Sequence, residues 1–264
     1  MAYECLNASL QHFTFPALNM SVPPATFSMW INTASIVAKD TALFCWRGTT
    51  NTAVLLTYVA PNWQLRYFVN NGLQWQTATG LNLSTGVWQH VCVALEATQA
   101  RLYLDGALFT NSTSHTSANI NTTGYLARDP IVSPTHTSYN GSIAEAAMWT
   151  TALSHAECLA LAKRMSPLLM KNRLHDLIFY KDLVRDADRG IGAALTAVSS
   201  PTVVPHPPMI WPQSRLRARM PPPQFAAPFR LLTGAADASR TTRGCAVVRG
   251  AASGIVLPTG EVSS

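Results

Sequence analysis

The stretch Gly86-Val-Trp-Gln-His-Val-Cys-Val-Ala-Leu95, followed closely by Ala100-Arg-Leu-Tyr-Leu-Asp-Gly-Ala-Leu-Phe109, decides the fold. Val91, Val93 and Leu95 recur at every second residue, and side chains on a pleated strand alternate between its faces, so these three share one face. Leu102 and Leu104 supply the row opposite. Asp105-Gly106 makes a two-residue turn that needs positive φ at both positions, which Asp and Gly tolerate. The reading is three antiparallel strands in a meander.

Working outward, the same period of two returns. Phe27-Ser-Met-Trp-Ile31 puts Phe27, Met29 and Ile31 on one face and Ser28 and Trp30 on the other. Residues 53–59 form a β-branched and aromatic run, and Trp63, Leu65, Tyr67 and Val69 alternate along the next segment. Asn70-Asn-Gly72 is a tight-turn signal from which Leu73 to Thr77 returns. Residues 110–124, rich in Ser, Thr and Asn, are expected to form a polar loop, and Asn140 to Trp149 a further alternating strand. Ser154-His-Ala-Glu157 is a capping box for one short helix, with Leu153, Leu159 and Ala162 as its apolar stripe and Pro167 ending it. Leu174 to Leu183 is one more candidate strand.

These residues resemble the laminin-G-like branch of the concanavalin A-like lectin and glucanase superfamily. The resemblance rests on Trp88, His90, Val91 and Val93, then Leu102, Tyr103, Asp105 and Gly106, then Gly141, Ile143, Glu145 and Trp149, and the helix start Ala152, Leu153, Ser154 and Glu157. The opening Cys5-Leu-Asn-Ala-Ser-Leu-Gln-His-Phe13 is similar to the family's first strand, so the resemblance covers about residues 1–165. It implies an all-β, antiparallel jelly-roll sandwich with one short capping helix. On this basis residues 1–168 are the sandwich, 169–200 an additional strand and connecting segment, and 201–264 an extended Pro- and Arg-rich C-terminal arm.

Composition bears on the arm. Only 12% of the 264 residues are charged, about half the usual share. Met1 to Met165 carries seven basic and seven acidic residues, and Ser166 to Ser264 twelve and six, so the net charge of +6 sits in the second part. Nine prolines fall between Pro201 and Pro228, which excludes a central strand or a helix there. Trp211, Phe225 and Phe229 are interleaved with them, and Arg215, Arg217, Arg219 and Arg230 add charge. Disordered linkers are poor in such aromatics, so these residues are expected to anchor the arm on a partner.

Five cysteines, none in a C-x-x-C pair, read as buried free thiols rather than a zinc site or a disulfide framework. The N-terminus has no secretory signal pattern and no apolar run is long enough to span a membrane. The six Asn-x-Ser/Thr sequons are then taken as loop composition. Asp186-Ala-Asp-Arg-Gly190 reads as turn chemistry rather than a calcium loop, and the seven scattered histidines as structural. No metal or cofactor is expected.

Glycosidases on this fold need two carboxylates about 5–10 Å apart. No predicted strand carries such a pair, and Glu145 stands as a lone carboxylate. G-x-S-x-G, P-loop and H-E-x-x-H patterns are absent, so no catalytic residue is assigned. Trp75, Trp46 and Trp63 are candidates for stacking on sugar rings. Trp75, beside a turn, is the best placed, whereas alternation gives Trp63 a competing place in the core. Trp30, Trp88 and Trp149 read as core.

Domains of this kind followed by an extended segment are similar to structural proteins of tailed phages. The resemblance implies a virion structural protein, either a capsid decoration or a tail-surface protein, made in the host cytoplasm. Its partners would be capsid or tail subunits of the same particle, or further copies of itself. Neither a membrane nor nucleic acid is expected as partner. The alternative is a carbohydrate-binding adhesin or receptor-binding module for a cell-surface glycan, and a glycan-cleaving enzyme ranks last.

Overall fold

A computed structural model describes residues 2–35, 40–46, 52–59, 62–69, 72–76, 83–111, 117–130, 136–183 and 190–211, with the backbone alone in much of 52–76 and at a few other positions. In chain order the first strands are β1 (Ala2–Cys5), β2 (His12–Phe15), β3 (Met20–Val22), β4 (Ala25–Thr33), β5 (Asp40–Trp46), β6 (Thr52–Val59), β7 (Asn62–Val69) and β8 (Gly72–Gln76). There follow β9 (Trp88–Leu95), β10 (Ala100–Leu104), β11 (Ala107–Asn111), β12 (Ala118–Ile120), β13 (Gly124–Leu126), β14 (His136–Thr137) and β15 (Gly141–Trp149). The helix α1 (His155–Ala162) precedes β16 (Leu177–Lys181), β17 (Gly190–Ile191), β18 (Thr196–Val198) and β19 (Thr202–Val204).

The strands make two large sheets. A central sheet runs β11-β10-β9-β4-β15-β1-β19, with β16 also on β15 and β17 on β16. A second sheet runs β18-β2-β13-β5-β6-β7-β8, with β14 on β5. The expected all-β sandwich with one capping helix is the architecture found.

The meander has the register its alternation demands. Val93 stands opposite Leu102, Val91 opposite Leu104 and Leu95 opposite Ala100. Together with Phe27, Met29, Ile31, Ile143 and Met148 they face Phe13, Phe15, Phe44, Trp46 and Leu126 of the second sheet in one buried cluster. Burying each large side chain stabilises the fold by roughly 1.5–3 kcal/mol. Trp46 meets Phe15 edge-on at 5.7 Å, and Phe27 at the same centroid distance.

The turn joining β10 to β11 has φ of 50° at Asp105 and 84° at Gly106. The Asp105 carboxylate accepts from the His90 backbone N–H at 2.7 Å and from Gln89 Nε2 at 3.0 Å, so one acidic side chain ties the turn to β9. A Cβ on Gly106 would stand 2.7 Å from Leu159 of α1, so the turn needs glycine for its backbone and for helix packing alike.

Helix α1 starts as expected. Ser154 Oγ accepts from the Glu157 N–H and Glu157 Oε2 from the Ser154 N–H. Its buried face differs: Cys158 and Leu161 are buried, whereas Leu159 and Ala162 are half-buried, because the short helix lies over the Gly106 turn as well as on β9. Two other expectations need adjustment. Residues 110–124 are not all loop, since β12 pairs with β3 and buries Ile120. Cys5 and Phe13 lie in two strands of opposite sheets rather than in a single one.

The larger correction concerns the arm. Residues 201–211 belong to the sandwich: β19 pairs antiparallel with β1, and the Ile210 N–H donates to the Arg164 carbonyl at 2.7 Å. Pro201 and Pro205 flank β19 at the sheet edge, where a missing N–H costs no ladder bond. Residues 212–264, with Arg215, Arg217, Arg219, Phe225, Phe229 and Arg230, lie outside the described residues, as does Cys245.

His90 is one polar group buried in this scaffold. Its Nε2 lies 2.9 Å from Ser28 Oγ, its ring packs 5.3 Å from Trp30, and it is 1% exposed. Burial disfavours the imidazolium and lowers its pKa to about 3. The unfolded chain, with an ordinary histidine near 6.5, binds the proton first, so this group removes stability as pH falls from about 6.5 toward about 3. The slope approaches ~1.4 kcal/mol per pH unit inside that window. Urea unfolding at pH 4.5 and pH 7 should show the loss in the natural protein and a smaller one in His90→Gln; equal pH dependence in the two would disprove the assignment.

Candidate functional site

Strand β15 forks. Its first half pairs with β1 and its second half with β16, and the β4 ladder slips between Ala144 and Ala147. Glu145 sits at the slip with φ of 54°, a conformation uncommon for a residue bearing a side chain. It is 1% exposed. Tyr180 of β16 donates its hydroxyl to Glu145 Oε2 at 3.0 Å, and Ser166 Oγ stands 3.5 Å from that hydroxyl. Burial pushes the Glu145 carboxyl above the ordinary carboxylate range, with the charge of Asp182 adding to that, while His206 and Tyr180 pull it back.

Residues 201–211 form a strap over this cluster. His206 Nε2 lies 3.1 Å from Glu145 Oε1 and donates to the Asp182 carbonyl at 3.2 Å. Its Nδ1 faces the Pro207 carbonyl at 2.6 Å. Both ring nitrogens therefore meet acceptors. On either side the strap is apolar. Val204 and Met209 pack with Ala2, Trp30 and Ala144, and Trp211 packs on the cluster of Tyr103, Trp149, Leu161 and Tyr180. Helix α1 closes the rest of this face, with the free thiol of Cys92 donating to Cys158 Sγ at 3.6 Å.

The second sheet has a different outer face. Phe13 and Phe15 point into the core, so alternation turns His12 and Thr14 outward. Tyr125 stands opposite Thr14 on one side and Cys45 on the other. Over this face the described residues form only a small apolar group of Ala42, Cys45 and half-buried Tyr125. The Tyr125 ring lies 6.1 Å from that of His12. His12 Nδ1 is 2.7 Å from the Leu10 carbonyl, which fixes the proton there, and Arg128 Nη1 is 3.4 Å away. Burial holds the His12 pKa below its ordinary value, the Leu10 carbonyl opposes this and Arg128 assists it.

A profile described as the concanavalin A-like lectin/glucanases superfamily matches residues 7–158. The chain belongs to that superfamily. Among solved structures, the native heptameric SAP-like pentraxin from Limulus polyphemus superposes with a TM-score of 0.52 at 14% identity, over 74% of this chain and 93% of the pentraxin. A protein from Bacteroides ovatus ascribed carbohydrate binding gives 0.51 at 12% identity, over 76% of this chain and 61% of the other. At such identities the likeness speaks for the fold. No curated protein matches the sequence.

A superfamily scaffold leaves its site to be read from residues. Trp46, expected as a stacking platform, is 1% exposed and belongs to the core, because the irregularity of β5 between Ala42 and Phe44 turns it inward with Phe44. Trp75 stands opposite Tyr67 in the β7–β8 register and Trp63 opposite Tyr58 between β6 and β7; the side chains of both lie outside the described residues. Trp30 and Trp149 are core residues. Trp211, expected to grip a partner, packs on this chain's own central sheet.

Glu145 is not alone either, since the charge of Asp182 acts on it. Their juxtaposition was invisible in sequence because one lies in β15 and the other just past the end of its neighbour β16. Among the described residues no group of three His, Cys, Asp or Glu side chains is placed to hold a metal ion, and no helix is long and apolar enough to cross a membrane. A hollow of about 440 Å³ lies between α1 and the turns before β16, lined by Ala156, Ala160, Met165 and Leu169. Its polar groups Glu157 and Arg173 are paired with each other at 2.7 Å.

Replacing His206 with Ala leaves the buried Glu145 Oε1 and the Asp182 carbonyl without their facing nitrogen, at a cost of about 1–3 kcal/mol. We expect thermolysin to cut His206→Ala within residues 203–211 while leaving these bonds intact in the natural protein, with cut sites mapped by mass spectrometry. Identical cleavage maps would show that the strap does not depend on this contact.

Proposed function

We propose that the chain is a non-catalytic glycan-binding module that takes its ligand on the outer face of the second sheet. One observation carries this reading: the two outer faces are finished differently. That of the central sheet is closed by α1 and the strap, with Glu145 and Asp182 beneath. That of the second sheet presents half-buried Tyr125, Thr14 and Arg128 beside buried His12. A sugar ring packs its C–H face on an aromatic ring while neighbouring polar groups take its hydroxyls, and these residues supply both. Cleavage would need a reachable pair of carboxylates, whereas the pair found here is covered. The likeness to lectin-like folds is compatible with the reading without adding a ligand to it.

A second reading sets the module on a virion, as a capsid decoration or tail-surface protein anchored by residues 212–264. What favours it is the charge distribution. Residues 1–165 are balanced, while 166–264 hold twelve basic and six acidic residues, the pattern of a segment that meets an acidic or protein surface. Binding outward and anchoring are compatible roles.

Tyr125→Ala should abolish saturable binding on a broad glycan array with an unchanged far-ultraviolet circular dichroism spectrum; undiminished binding would place the ligand elsewhere, at Trp75 for instance. For the virion reading, residues 212–264 should be cleaved by trypsin in the isolated chain and protected in purified particles. Equal cleavage in both states would rule out anchoring through that segment.

A further inference from the structure

On the proposed glycan face Arg128 is a cation with no counter-charge among the described residues. Resting on that reading, we infer that the ligand is an acidic glycan, with the carboxylate of a uronic or sialic acid unit held by Arg128 beside His12. Arg128 follows Ala127, whose φ of 64° bends the chain as it leaves β13 and brings the guanidinium alongside His12, 116 residues away. The Arg128 Nη1 to His12 Nδ1 approach of 3.4 Å is not a satisfied bond. Nδ1 already gives its proton to the Leu10 carbonyl at 2.7 Å, so it has no lone pair for the guanidinium. Asp129, next in the chain, is 3% exposed and makes its own contacts. Among the described residues no carboxylate lies within ion-pair distance of Arg128.

In a chain so poor in charge, a half-buried arginine is otherwise expected to be paired. Its planar fork of N–H donors matches a carboxylate's two oxygens in a bidentate pair. His12 itself is 3% exposed, so it backs the guanidinium while half-buried Thr14 offers its hydroxyl to the sugar. Tyr125 and Thr14 lie within the same patch, so a single pyranose can meet the aromatic ring, the hydroxyl and the cation together. One guanidinium beside one aromatic ring suits a monosaccharide carboxylate. A nucleic-acid backbone would call for several cations in a row.

The test is isothermal titration calorimetry on the full chain with matched probes: trigalacturonate against its methyl ester, 3′-sialyllactose against lactose, and a thymidine oligonucleotide. The acidic member of at least one sugar pair should bind at least ~10-fold tighter than its neutral partner. Arg128→Gln should erase that preference with the circular dichroism spectrum unchanged. If Arg128→Gln does not fold, the unaltered protein is titrated at rising NaCl, where the acidic preference must shrink and a constant preference would overturn the assignment. Equal binding of acidic and neutral probes would overturn the acidic ligand and leave the glycan reading standing. Binding of none of the sugars would remove both. Tighter binding of the oligonucleotide than of either acidic sugar would overturn the inference in favour of nucleic acid.

Discussion

Every residue of β15, from Gly141 to Trp149, is buried, and the rest of the architecture follows from that requirement. A strand buried on both faces needs cover from two sides. The second sheet covers one side through Phe13, Phe15, Phe44 and Trp46. Helix α1 and the strap cover the other, meeting β15 at Ala144, Ala147 and Trp149. Small residues at two of these positions let the covering elements approach closely. The sandwich is thus three layers thick over its central sheet.

The fork in β15 is where this arrangement admits polar chemistry. Two strands, β1 and β16, share one neighbour, and the backbone slips between them to serve both. Glu145 at the slip is left buried, is met by Tyr180 and His206, and feels the charge of Asp182. Positive φ at a non-glycine residue persists only where the surroundings over-determine it. Here strands on both sides and a strap above supply that constraint. The same contacts take Val204, Met209 and Trp211 out of the pool of residues that could grip a partner.

With one outer face covered, the proposed ligand falls to the other. Among the described residues, buried His12 and half-buried Thr14 and Arg128 accompany one half-buried aromatic ring, Tyr125, and Arg128 supplies the charge. Superfamily membership supplies the sheets that hold these groups in place. The groups themselves belong to this chain, and the ligand follows from them rather than from the fold.

What was legible in sequence acts over a few residues. The alternation of Phe27, Met29 and Ile31, the facing rows of the β9–β10 meander, the Asp105-Gly106 turn and the Ser154–Glu157 capping box are each a local rule of pleat, φ or hydrogen bonding, and each is found in place. Period two says that two faces differ without saying which is covered, so Trp46 passed for a sugar platform until an irregularity in its strand turned it inward. Within residues 201–211 the prolines flank an edge strand, yet only the folded chain shows that the interleaved Met209 and Trp211 lie against their own sandwich. The meetings of Glu145 with Asp182 and His206, and of Arg128 with His12, join residues from 37 to 116 positions apart. Local propensity carries no information about such pairs, because they form only when strand order and burial bring distant segments onto one face.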